Sequence, residues 1–97
     1  MKQTFSKYEK SAELHGILAN SKRLAILNSL GNDEKSVEEM AKELGIRNTN
    51  VSQHLALLRH TNLVKIRRDG TSIFYHLTDP TILKACEAFY EFSKKHE

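Results

Sequence analysis

The sequence predicts a mainly α-helical chain with one β-hairpin, an α+β arrangement in the order ααααββα. Three observations predict it. Apolar residues recur at helical spacing through most of the 97 residues. From Val64 onward the period drops to two, with Val64 and Ile66 answered by Ile73, Tyr75 and Leu77. Between these alternating runs sits Asp69-Gly70, a strong two-residue hairpin signal.

The elements follow in order. A first helix over residues 5–19 carries Phe5, Tyr8, Ala12, Leu14, Ile17 and Leu18. A second is marked by Leu24, Ile26, Leu27 and Leu30; Asn20 or Ser21 can cap its start, and Gly31 ends it. Ser36 with Glu39 is a capping box, in which each side chain satisfies a free backbone N–H. It opens a short third helix with Val37, Met40, Ala41 and Leu44, closed by Gly45. After the tight connection Ile46-Arg47-Asn48, Val51, Leu55 and Leu58 stand at i, i+4 and i+7 and predict a fourth helix over about residues 48–60. A turn at Asp69-Gly70 pairs Arg68 with Thr71, Ile66 with Ile73 and Val64 with Tyr75, and leaves Arg67 opposite Ser72. The last helix, over residues 80–94 with Pro80 near its first turn, carries Ile82, Leu83, Cys86, Phe89, Tyr90 and Phe92. Its apolar positions cover more than one stripe. One face has the interior as partner, and a second protein chain suits the other.

Composition bounds the class. At 39% hydrophobic and 28% charged, residues 1–97 are expected to form one domain with one modest core. The lone Cys86 excludes an intramolecular disulfide, and with no secretory signal it points to the cytoplasm. No apolar run reaches the roughly 18–20 residues that a membrane span needs. There is no nucleophile–base pair, phosphate-binding glycine loop or metal-ligand cluster, so neither an enzyme nor a cofactor is expected. His15, His60, His76 and His96 lack metal-ligand spacing and read as scattered surface residues. The net charge of +3 is unevenly placed. Residues 47–76 hold Arg47, Arg59, Lys65, Arg67 and Arg68 against Asp69 alone, a local +4, and the rest of the chain sums to −1. Residues 33–43 carry a local −3. A basic block beside an acidic one suits a polyanion, nucleic acid being the commonest.

A short helix, a tight turn and a second amphipathic helix make a helix-turn-helix, and the hairpin after it makes the unit winged. The second helix of such a unit enters the major groove, so its first turns need side chains that hydrogen-bond to base edges. Asn48, Thr49, Asn50, Ser52 and Gln53 are of that kind: amides can bond adenine bidentately, and hydroxyls serve bases or phosphates. With Val51 and Leu55 at the centre of the buried face, Thr49, Gln53 and His60 turn outward, Asn50 lies to one side, and Ser52 and His54 flank the apolar stripe. Arg67 and Arg68 at the hairpin tip would follow a phosphate backbone or dip into a minor groove. A winged-helix protein-interaction module is the alternative, but such modules usually lack a polar first turn and a basic wing together.

Residues 18–30, Leu-Ala-Asn-Ser-Lys-Arg-Leu-Ala-Ile-Leu-Asn-Ser-Leu, resemble the entry helix of the ArsR/SmtB family of bacterial and archaeal repressors. Val51-Ser52-Gln53-His54-Leu55, with Leu58 and Leu63-Val64, resembles that family's recognition helix and the start of its strand. Arg67-Arg68-Asp69-Gly70 and Tyr75-His76-Leu77 continue the likeness, which covers roughly residues 16–80. The resemblance implies a homodimeric winged-helix repressor of double-stranded DNA with a palindromic operator. It also implies a dimer interface built from the first and last helices, with Phe5, Tyr8, Ile82, Cys86, Phe89 and Tyr90 as the residues concerned. It gives His54 a DNA contact. One metal site of the family uses Cys-x-Cys where this chain has Ser36 and Glu38. Another needs four ligands where this chain has Asp79, Thr81, Phe92 and Lys95. Neither survives here, so no metal is expected and the effector stays open.

Overall fold

The computed structural model describes residues 2–96, with side chains from Phe5 to His96. The elements are α1 (Lys2–Leu18), α2 (Ser21–Leu30), α3 (Val37–Leu44), α4 (Asn48–His60), β1 (Val64–Asp69), β2 (Ser72–Leu77) and α5 (Ile82–Lys95), the order the sequence predicts. Helix boundaries follow their capping chemistry. Asn20, and not Ser21, caps α2: its Oδ1 accepts from the Arg23 N–H at 3.1 Å. The capping box of α3 is complete, with Ser36 Oγ accepting from the Glu39 N–H at 3.1 Å and Glu39 Oε1 accepting from the Ser36 N–H at 2.9 Å. Gly45 ends that helix in the left-handed region at φ 70°, ψ 32°, where a side chain would be strained. The last helix starts two residues later than expected, because Pro80 and Thr81 form a turn in which Asp79 Oδ1 accepts from the Thr81 N–H at 3.0 Å.

The hairpin register differs from the expected one. Val64 faces Leu77, Ile66 faces Tyr75, Arg67 faces Phe74 and Asp69 faces Ser72, so the two turn residues are Gly70 and Thr71. Gly70 has φ 61°, and Thr71 is not among the positive-φ residues. That is the pattern of a type II′ turn, which wants glycine first. The shift moves each partner by two residues and leaves every side chain on its expected face. Val64 and Ile66 still meet apolar partners, and Arg67 gains an aromatic ring where Ser72 was expected.

The core is centred on α2. Ile26, Leu27 and Leu30 are fully buried against Met40 of α3, Val51, Leu55 and Leu58 of α4, and Val64 of β1. At roughly 1.5–3 kcal/mol per buried aliphatic side chain, these residues dominate the burial that holds the helices together. Among the described residues, α1 and α5 contribute no fully buried side chain, and the molecule extends 51 × 32 × 22 Å. The base of the wing is tied to the helices through the backbone. The Lys35 N–H donates to the Tyr75 carbonyl at 3.0 Å, and the Tyr75 N–H donates to the Lys35 carbonyl at 2.8 Å. The Lys35 ammonium meets Glu43 Oε2 at 2.8 Å, and Ser29 Oγ donates to that oxygen at 2.7 Å. The α2–α3 linker thus meets β2 in a single antiparallel bridge beside the two-stranded sheet.

Candidate nucleic-acid interface

Burial of Val51, Leu55 and Leu58 fixes the rotation of α4 about its axis. Asn48, Thr49, Ser52, Gln53 and His60 are consequently exposed, while Asn50 and His54 are half-buried at the flanks. Arg47 precedes the helix and makes no side-chain cap, so the first N–H groups of α4 are free of side-chain partners. The imidazole of His54 lies near Arg23 and Lys22 of α2. Its burial, and then those two positive charges, lower its pKa from the ordinary imidazole value and favour the neutral ring. Asn50 Oδ1 is buried with no hydrogen-bond partner.

The wing stands beside this surface. A groove of about 540 Å³ runs between β2 and the start of α3, lined by Ser36, Val37 and Glu38 on one side and Thr71 to Tyr75 on the other, with Ser52 of α4 bordering it. Arg67 and Arg68 lie on opposite faces of β1 and differ in their engagements. Arg67 Nε donates to both carboxylate oxygens of Glu34, at 2.9 and 3.0 Å, and its Nη2 donates to Glu34 Oε1. Its guanidinium sits 4.9 Å from the centroid of the Phe74 ring, a cation–π distance. The Arg67 hydrogen bonds hold the Glu34 carboxyl below its ordinary pKa, and Glu34 raises that of Arg67 further. Arg68 is exposed and, among the described residues, makes no ion pair. Sequence reasoning did not find Glu34 as the partner of Arg67, because 33 residues separate them. It also passed over Lys22 and Arg23, which sit on the core helix yet come to the flank of α4.

The residues expected at a dimer interface divide. Phe5, Tyr8, Phe89 and Tyr90 are 76%, 56%, 58% and 58% exposed, large apolar surfaces open to solvent. Cys86 is half-buried, and burial raises its thiol pKa. Ile82 packs against the core of its own chain. His15 meets the edge of Phe89 at 5.6 Å, joining α1 to α5. Beside them an apolar cleft of about 400 Å³ is lined by Leu18, Leu24, Cys86, Phe89 and Tyr90. Among the described residues no group of three or more His, Cys, Asp or Glu is placed to hold a metal ion, and no helix is long and apolar enough to cross a membrane.

A buried tri-helical unit, an outward polar face on its last helix and an adjoining hairpin define a winged helix-turn-helix, the architecture of many transcriptional regulators. A family model described as "Helix-turn-helix domain" matches residues 18–67. The HTH-type transcriptional regulator KmtR of Mycobacterium tuberculosis is 49% identical over 65 residues, 67% of this chain and 50% of KmtR, so the chain spans about half the length of that relative. The reduced form of HlyU from Vibrio cholerae superposes with a TM-score of 0.83 at 30% identity, covering 95% of this chain and 97% of HlyU. The winged helix-turn-helix DNA-binding domain of Mb0332 from Mycobacterium bovis, described as homodimeric and a possible ArsR-family regulator, superposes with a TM-score of 0.80 at 27% identity, covering 99% of this chain and 89% of that domain. The chain belongs to the helix-turn-helix family of ArsR/SmtB-type winged-helix transcriptional regulators.

Proposed function

We propose that residues 1–97 form one domain, the protomer of a cytoplasmic homodimer that binds a palindromic operator in double-stranded DNA and represses transcription by occupying it. The observation that carries this reading is the grouping of Asn48, Thr49, Ser52 and Gln53 on the exposed face of α4, with Ser52 bordering the groove that runs to the wing. Asn48, Thr49, Asn50, Ser52 and Gln53 supply donors and acceptors to base edges, and His54 adds an imidazole at the flank. Arg68 makes no ion pair among the described residues and can meet a phosphate directly, and Arg67 must exchange Glu34 for a phosphate before it can do the same.

Dimerisation through α1 and α5 is supported by the exposed Phe5, Tyr8, Phe89 and Tyr90, with Cys86 and Ile82 at the margin. The relative Mb0332 is described as homodimeric. A two-fold dimer would present two copies of α4 to successive major grooves about 34–36 Å apart. Repression by occupancy needs nothing beyond these two faces. The family's metal ligands have no counterpart at Ser36, Glu38, Thr81, Phe92 and Lys95, and the proposed repressor does not sense metal through those sites.

Selection of bound sequences from a random duplex pool tests the proposal. The expected product is a palindrome with half-sites one helical turn apart, bound less tightly as salt rises. Failure to bind any duplex at low salt would instead favour a protein-interaction module. Zinc-dependent release of the selected duplex would contradict the absence of metal sensing.

A further inference from the structure

A second cluster of cations lies outside both the wing and the reading face of α4. Lys22 at the start of α2, Lys42 in the last turn of α3 and Arg47 just before α4 line one open cleft of about 510 Å³, with Asn50 at its side. They come from three elements, and the left-handed turn at Gly45 is what folds Lys42 and Arg47 towards each other. A Cβ at Gly45 would meet nothing within 4 Å, so the cleft is open there. No acidic side chain lines it. Among the described residues none of the three cations makes an ion pair. Like charges gathered without counter-charge repel, and the arrangement is relieved by an anion placed among them.

We propose that this cleft holds a backbone phosphate of the same duplex whose major groove α4 enters. The inference rests on the DNA-binding reading above. Its occupant is a phosphodiester because the cleft is continuous with that interface: Arg47 adjoins Asn48 and Thr49, and Asn50 belongs to both surfaces. Lys22 lines the cleft together with Asn50, so the α2 end of the cleft borders α4 as well. Arg47 can grip a phosphate through two parallel N–H bonds, while Lys22 and Lys42 act as point charges. Such a site holds the strand in register and carries no base information.

The test is the salt dependence of binding to a selected duplex. Compared with the wild-type chain, K22Q/K42Q/R47Q is expected to have a log–log slope shallower by about 0.9 for each lost phosphate contact, with the selected base sequence unchanged. K22R/K42R, which keeps the charges, should retain the wild-type slope, as should K84Q on α5. A folded triple variant, judged by circular dichroism, with the wild-type slope would overturn the inference while leaving the DNA-binding reading intact. Loss of slope in K22R/K42R would overturn it too. A wild-type chain that binds no duplex would remove both.

Discussion

Gln53 is exposed in the second turn of α4, two residues from buried Val51 on one side and from buried Leu55 on the other, so its amide projects from a fixed base. A bidentate amide–adenine pair discriminates by about 1–3 kcal/mol. Gln53→Ala is therefore expected to lower selectivity at one operator position by roughly 5- to 150-fold, measured with duplexes mutated there, and to leave binding to unrelated DNA little changed. Glu34 restrains Arg67, so Glu34→Gln should release that guanidinium to a phosphate. Tighter binding at low salt and a steeper salt slope are the expected results; an unchanged slope would show that Arg67 stays on Phe74 without its carboxylate. His54 gives a pH signature. Because folding lowers its pKa from 6.5, the unfolded chain takes up the proton first as pH falls. Its contribution to stability is present above 6.5 and is lost as pH drops from there through the folded pKa. On acidification from about pH 7.5 to about pH 5.5 the wild-type melting temperature should therefore fall further than that of His54→Gln, and parallel falls would refute the assignment.

At the scale of the element, Ser36→Ala removes half of a reciprocal pair on a helix of eight residues. A loss of about 1 kcal/mol is expected from the shift in urea midpoint, concentrated on a helix too short to hold by propensity alone. That cap was legible because its two partners lie three residues apart. The helices were legible for the same local reason, Val51, Leu55 and Leu58 defining α4 from spacing alone. The hairpin register was not. Turns at 69–70 and 70–71 both bring apolar residues opposite apolar residues, since moving the partner by two preserves the face. The choice falls to the positive φ at the first turn residue, which Gly70 accepts, and to the contact of Arg67 with Phe74. Nor could sequence spacing reveal Glu34 beside Arg67 or Lys22 beside His54, because tertiary packing creates both. The polar face of α4 was readable, and its electrostatic surroundings were not.

The whole molecule is more extended than its length requires. A compact chain of this size has a radius of gyration of about 12.5 Å, whereas this protomer has 14.8 Å. The excess accompanies α1 and α5, whose aromatic side chains lie in the open. Phe89→Glu is expected to leave helical content unchanged, since Phe89 lies outside the core. It should convert a dimer to a monomer in sedimentation and weaken operator binding, as one protomer loses the other's half-site. A variant that stays dimeric would place the interface elsewhere.

The strand-like contact between Lys35 and Tyr75 has a consequence for the DNA. It pins the wing at its base through the backbone, a hold that outlasts the exchange of Glu34 for a phosphate at Arg67, so the base of the wing keeps its place beside the helices. In the proposed complex the duplex is then the compliant partner, and it must bend or narrow a groove to meet both contacts at once. Base pairs that no side chain touches would be chosen for their deformability, and the stiffness of the operator's unread steps would become part of its affinity.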